Sequence, residues 1–103
     1  MRAAMAAVRI LRAMNQHQGD ARVQENACSA IRNLAANDAN RVTLVAAEAH
    51  VRILRAMDRH QDDARVQENA CGALWNLAVN DANKVTLVAA EAHVRIIRAM
   101  DRH

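Results

Sequence analysis

Apolar residues along the chain recur every three or four positions, which is the spacing of one face of an α-helix. One such stripe predicts a helix over residues 4–17, and a second predicts a helix over residues 21–36. The stripes consist of Ala4, Val8, Leu11 and Met14, and of Val23, Ala27, Ala30 and Leu34, with Ile31 widening the second. Between them the segment Gln18-Gly19-Asp20 interrupts the pattern, and Asp20 is a suitable N-cap for the second helix.

The next segment, residues 39–60, contains neither glycine nor proline. It carries two apolar stripes that are rotated around the helix axis relative to each other, namely Val42, Val45, Ala46 and Ala49, and then Val51, Leu54 and Met57. We predict a single helix of about 20 residues, roughly 30 Å long at 1.5 Å per residue. Residues 64–79 and 82–103 repeat the short and the long helix. The Asn-Asp pairs before each long helix mark its start, with the Asp as the expected cap.

The chain repeats itself almost exactly. At an offset of 43 residues, 47 of 60 compared positions are identical, and the similarity is greatest between residues 21–60 and 64–103. A period in this range is typical of stacked helical repeats. We therefore expect one helical-repeat domain over residues 1–103, made of a partial repeat at 1–20 and repeats at 21–63 and 64–103.

Composition supports an all-α fold. Strong helix formers such as alanine, leucine, arginine and glutamate dominate, and the chain has no proline, phenylalanine or tyrosine. Because much of the apolar content is alanine, the core should be thin, and its stability should depend on neighbouring repeats. No apolar run approaches the roughly 18 residues of a membrane span. Two equivalent cysteines, Cys28 and Cys71, are expected to stay reduced thiols, which fits a cytosol-type setting without identifying the compartment.

The segment VQENACGALWNLAVNDANKVTLV resembles the third helix of an armadillo repeat running into the first helix of the next. The repeat period, the NLA ending and the following N-[KR]-V carry the resemblance, which covers essentially the whole chain. It implies three helices per repeat, a right-handed superhelix and a concave groove that binds extended peptides. It also implies a peptide-backbone contact for Asn33 and Asn76. The family often carries a tryptophan one turn earlier, where this chain has Ser29 and Gly72.

The chain departs from the family at the turn between the first and second helices. That turn normally reads Gly-Gly-Ile-Pro, but here it reads Glu48-Ala49-His50-Val51 and again Glu91-Ala92-His93-Val94. Replacing two glycines and a proline removes on the order of 5 kcal/mol of local bias against helix. We therefore predict that the first and second helices of each repeat are fused into one long helix. Two copies altered in the same way look engineered or recently duplicated.

A fused helix would carry the second half of each long helix away from its own repeat. Its apolar face would then need another cover, and exchange of helices between identical chains would supply one. We therefore expect a homodimer or higher homo-oligomer. The residues expected to take part in fusion and self-association are Glu48, Ala49, His50, Val51, Leu54, Met57, Glu91, Ala92, His93 and Val94.

Catalytic and metal-binding patterns are missing from the sequence, so we expect neither an enzyme nor a resident metal or cofactor. The five histidines form no HExxH motif, and the cysteines form no CxxC motif. Arginines at 52, 55 and 59, repeated at 95, 98 and 102, form stripes that suit a solvated helix face better than nucleic acid, because aromatics for base stacking are nearly absent. The predicted function is a self-associating, non-enzymatic structural scaffold. The alternative is a weak extended-peptide-binding module that uses Asn33 and Asn76.

Overall fold

The computed structural model describes residues 3–103 and shows seven helices, with no strand among the residues described. Their bounds are α1 Ala3–Gln16, α2 Ala21–Leu34, α3 Asp38–Ala46, α4 Ala49–Arg59, α5 Ala64–Leu77, α6 Asp81–Ala89 and α7 Ala92–Arg102. The predicted all-α class is confirmed. The short helices predicted over 4–17, 21–36 and 64–79 are confirmed as α1, α2 and α5, with ends shifted by one or two residues.

Polar residues start the helices at the places where the apolar pattern breaks. The Asp20 carboxylate accepts hydrogen bonds from two backbone N–H groups of α2 at 3.0 and 3.2 Å, and Asp63 does the same for α5. These carboxylates accept hydrogen bonds from N–H groups that would otherwise lack a partner at the start of a helix. In α3 and α6 the capping side chains are Asn37 and Asn80. The asparagine of each Asn-Asp pair is therefore the cap, and not the aspartate that the sequence analysis expected.

The prediction of one uninterrupted long helix in each repeat is wrong. The chain turns between α3 and α4 at Glu48, and between α6 and α7 at Glu91, with left-handed φ angles of 64° and 61°. The helix before the first turn ends regularly, because the N–H groups of Ala47 and Glu48 donate to the carbonyls of Thr43 and Val45. Neither turn residue is glycine, so each left-handed position costs about 1–2 kcal/mol.

Burial of α4 explains why the turn persists without glycine or proline. Folding back places α4 against α1 and α5, where Ile53, Leu54 and Met57 are buried. Full burial of a side chain of this size contributes about 1.5–3 kcal/mol, so the three together outweigh one strained residue. The substitutions removed the local preference for a break, while the tertiary packing that bends the chain was retained.

Adjacent repeats stack mainly through α2 and α5, which share the most extensive helix contact in the molecule. The buried core runs from this contact into α1, α3 and α4. A buried amide secures the packing: Gln24 Nε2 donates to the carbonyls of Met14 and His17 at 3.1 and 2.9 Å. Gln67 makes the same pair of bonds to the end of α4. Each glutamine thus pairs carbonyls that a helix end leaves unsatisfied.

The two repeats differ in what covers them. Leu54 and Met57 of α4 are 6% and 0% exposed, so a single chain covers the face that the sequence analysis expected to need a partner. The equivalent residues of α7, Ile97 and Met100, are 56% and 72% exposed. Position in the stack therefore decides burial, since the residues themselves are nearly the same in both repeats.

Replacing the strained turn residue with glycine should stabilise the protein. Glycine adopts positive φ without a Cβ clash, so Glu48→Gly should raise the free energy of unfolding by about 1 kcal/mol. The loss of the exposed Glu48–Arg52 ion pair at 3.7 Å should matter little. Ala46→Gly, at a helical position two residues earlier, should lower the free energy of unfolding by a similar amount. Urea unfolding of both variants is the measurement, and destabilisation by Glu48→Gly would contradict the left-handed turn.

Acid should destabilise the protein through His50. Its imidazole is buried, and burial lowers the pKa below 6.5, with nearby Glu48 opposing the shift. Below about pH 6.5 the unfolded chain therefore binds more protons than the folded chain, so the free energy of unfolding falls as pH drops through this range. We expect His50→Leu to reduce the stability lost between about pH 7 and pH 5 in urea titrations. His93→Leu, at the exposed equivalent position, is the control and should leave that loss unchanged.

Candidate interaction surfaces

An apolar groove lies open on the last three helices. It has a volume of about 160 Å³, and its apolar lining includes Leu74, Trp75, Leu87, Val88 and Ile96 of α5, α6 and α7. We call this surface the end groove. Trp75 is 76% exposed there, although it is the only aromatic residue in the chain. An exposed tryptophan beside an apolar groove makes this surface a candidate interaction site.

The preceding repeat shows what such a groove can accommodate. Its equivalent surface is formed by α2, α3 and α4, and α5 packs against all three helices. Leu44 in that surface is the counterpart of Leu87, and Ile53 is the counterpart of Ile96. Ile53 is fully buried under the stacked repeat, whereas Ile96 is half-buried, and Leu44 and Leu87 are buried in both repeats. The end groove therefore has the lining that receives an amphipathic helix within this same chain.

The residues expected to act in helix fusion are divided between the interior and the surface. In the first repeat Ala49, His50, Leu54 and Met57 are buried and Val51 is half-buried, whereas in the second Ala92 is buried and His93 and Val94 are exposed. Glu48 and Glu91 occupy the two turns. The lining of the end groove was not predicted from the sequence. A signal was available at Ile96, because its counterpart Ile53 is covered by the next repeat.

The asparagines expected to bind peptide lie on the third helices α2 and α5. Asn33 is exposed, while Asn76 is partly buried and its Nδ2 donates to the Arg32 carbonyl oxygen at 2.9 Å. The Arg32 side chain covers Gly72, where an added Cβ would lie 2.6 Å from the Arg32 Nε. The amide of Asn76 is therefore already in use, and the place of the family's tryptophan is filled by an arginine from the neighbouring repeat.

Carboxylates of α4 and its following loop neutralise the arginine stripe of α7. Asp58 accepts hydrogen bonds from Arg95 at 3.2 and 3.3 Å and from Arg98 at 2.9 Å, and Asp62 accepts one from Arg102 at 2.8 Å. Partial burial alone would raise the pKa of Asp58, but the bonds from both arginines outweigh it and lower the pKa. This second stripe is thus internally paired. This pairing was not predicted from the sequence, because the partners lie about one repeat apart.

The thiols and imidazoles show no activated arrangement. Burial, with a smaller contribution from Cys71, raises the pKa of the Cys28 thiol to about 12, and burial also raises the pKa of Cys71. Neither thiol is therefore a thiolate nucleophile at neutral pH. His60 and His103 each bond a backbone carbonyl of the preceding repeat, at 2.7 and 2.9 Å. Within residues 3–103, the His, Cys, Asp and Glu side chains form no group of three that can hold a metal ion.

Comparison with known proteins agrees with this architecture. The armadillo/beta-catenin-like repeat matches residues 6–36 and 37–79, which together make up well over half of the chain. No curated protein and no solved structure matches the chain. No helix within residues 3–103 is long and apolar enough to cross a membrane. Armadillo repeat proteins are generally scaffolds rather than enzymes, and their repeats typically mediate protein binding. The chain belongs to the armadillo repeat family.

Proposed function

We propose that the chain is a non-enzymatic helical-repeat scaffold that associates with further copies of itself at its last repeat. One contrast carries the proposal: Leu54 and Met57 are buried by the stacked repeat, while their equivalents Ile97 and Met100 lie on the surface. Exposed apolar area of this kind is stabilised by burial at about 25 cal/mol per Å². A second copy brings the same apolar surface and can cover it.

Exchange of α7 between two chains is the route that we propose for this association. Extending α6 directly into α7 would give one helix over residues 81–102 and would remove the left-handed conformation of Glu91. Every contact of α7 with α4 and α5, including the ion pairs to Asp58 and Asp62, can form again with the other chain. The exchange brings the two chains together, and a further contact between the two copies of the exposed face then covers Ile97 and Met100. The relief of about 1–2 kcal/mol of strain per chain then favours the exchanged dimer.

The shallow attachment of α7 supports its role as the exchanged element. Its buried residues are the small Ala92 and Ala99, whereas α4 buries Ile53, Leu54 and Met57. Detaching α7 therefore exposes little additional apolar surface, whereas detaching α4 would open the core. The corresponding turn at Glu48 carries similar strain but is held by this deeper packing.

The oligomeric state tests the proposal. Light scattering across a series of micromolar concentrations should show a species of twice the 11.4 kDa monomer mass. Glu91→Gly relieves the strain in the bent chain, about 2 kcal/mol for two chains, and should weaken dimerisation roughly thirty-fold. Glu48→Gly lies outside the exchanged helix and should leave dimerisation unchanged, which makes it the matched control.

Three outcomes separate the parts of this proposal. A monomer at every concentration would refute self-association. A dimer that Ile97→Glu abolishes but Glu91→Gly leaves intact would refute exchange while supporting association through the exposed face. If Glu48→Gly weakened dimerisation as much as Glu91→Gly does, the assignment of the exchange to the turn at Glu91 would be refuted.

Extended-peptide binding is the second candidate, favoured by the exposure of Asn33 in a family whose repeats bind proteins. Two asparagine rungs should give weak affinity, and Asn76 must first release the Arg32 carbonyl. If the asparagines act as the resemblance implies, Asn33→Ala and Asn76→Ala should each weaken capture of an extended peptide several-fold in a titration. Asn26→Ala, at another exposed position of α2, serves as the control. Equal binding by all variants would eliminate the asparagine ladder as the mechanism.

A further inference from the structure

The arginine stripe occurs twice in the chain, but only one copy meets carboxylates of the preceding repeat. Arg95, Arg98 and Arg102 of α7 contact Asp58 and Asp62 in the preceding repeat. Their counterparts one repeat earlier are Arg52, Arg55 and Arg59 of α4. The positions that correspond to the two aspartates are occupied there by Asn15 and Gly19. The first arginine set has therefore lost its acidic partners, although nearly everything around it is repeated.

Without these acidic partners, the arginines of α4 are incompletely hydrogen-bonded. Arg52 Nε is buried and has no hydrogen-bond partner within the described residues, whereas Arg95 Nε at the equivalent place donates to Asp58 Oδ1 at 3.3 Å. Arg52 forms an ion pair only with the exposed Glu48, at 3.7 Å, among the residues described. A buried guanidinium N–H without a partner is costly, so a second acceptor at this point would be stabilising.

The three arginines converge on a small cleft between α1 and α4. Together with Asn15 and Gln18, Arg52, Arg55 and Arg59 line a cavity of about 10 Å³. Arg55 and Arg59 make no ion pair with any described residue, and both are exposed enough to move apart. We call this site the arginine cleft.

The Arg59 side chain rests against Gly19, the position that an aspartate occupies in the next repeat. An added Cβ at Gly19, the counterpart of Asp62, would lie 3.1 Å from Arg59 Nη2. The guanidinium thus rests against a residue that offers no side-chain acceptor. Arg59 therefore has no acidic partner at the place where Asp62 holds Arg102, and no side chain of residue 19 competes with an incoming acid.

We propose that the arginine cleft binds a carboxylate of an acidic peptide, placed where Asp58 lies between Arg95 and Arg98 in the next repeat. Guanidinium groups recognise carboxylates through short, paired and charge-assisted hydrogen bonds. An incoming carboxylate would also relieve repulsion among three like charges that Glu48 alone offsets. The fitting ligand has two acidic side chains four residues apart, as Asp58 and Asp62 are in this chain. This site is independent of the end groove and of self-association.

Calorimetric titration with a capped pentaglutamate peptide, whose first and last side chains are four residues apart, tests the proposal at low salt. The unmodified protein should bind one peptide, and binding should weaken as salt is added. Asn15→Asp places a carboxylate of the chain itself in the cleft and should weaken binding at least ten-fold. Asn26→Asp makes the same change in net charge at an exposed position of α2 and should weaken it much less. A capped pentaglutamine peptide is the neutral control and should not bind.

A gain-of-site variant makes the test sharper. The double variant Asp58→Asn with Asp62→Gly recreates in the second repeat the Asn15 and Gly19 of the first, and it should raise the number of bound peptides from one to two. No binding at low salt, or equal binding by the Asn15→Asp and Asn26→Asp variants, would overturn the proposal. Inorganic phosphate that binds more tightly than the peptide, with the same sensitivity to Asn15→Asp, would overturn the assignment to a peptide carboxylate.

Discussion

Packing of α4 against α1 and α5 is the constraint from which the rest of the structure follows. In the first full repeat it buries Ile53, Leu54 and Met57 between α1 and α5. This burial is worth more than the strain of a left-handed Glu48, so the chain bends at a sequence that locally favours a continuous helix. The bend returns α4 to its own repeat and leaves α5 to stack on α2.

Local features of the fold were predictable from the sequence. The short helices, the breaks between them and the Asp20 cap depend on residues close together in the chain. The 43-residue period can be read directly by comparing the sequence with itself. The bend at Glu48 was not predictable from propensity, because propensity compares helix and coil within one segment. The energy that bends the chain comes from contacts with α1 and α5, which are distant in sequence.

In the candidate sites, too, local features were predictable from the sequence and contacts between repeats were not. The positions of Asn33 and Asn76 follow from the resemblance to armadillo repeats, but the bond from Asn76 to the Arg32 carbonyl depends on how α2 and α5 stack. The bonds of Asp58 to Arg95 and Arg98 join residues 37 and 40 positions apart. When each helix is considered alone, α4 and α7 each carry an arginine stripe on a solvated face. Aligning the two repeats shows which of the stripes has acidic partners.

Near identity of the repeats turns small differences into the informative part of the chain. Met57 and Met100, for example, are equivalent residues, and they differ in burial because another repeat covers Met57. Conversely, Asn15 and Gly19 stand where the next repeat has Asp58 and Asp62. The side-chain charge therefore differs at these two positions, although the surrounding sequence is nearly the same. The end groove is thus a consequence of stacking, and the arginine cleft is a consequence of sequence.

Nuclear Overhauser contacts in solution test the central claim most directly, because they report the backbone path through both turns. The bent chain predicts a strong intraresidue amide-to-Hα contact at Glu48, as positive φ brings these protons together. It also predicts contacts from Leu54 and Met57 to α1 and α5. An unbroken series of helical contacts running from α3 through Glu48 into α4, with no contact between α4 and α1, would contradict the account.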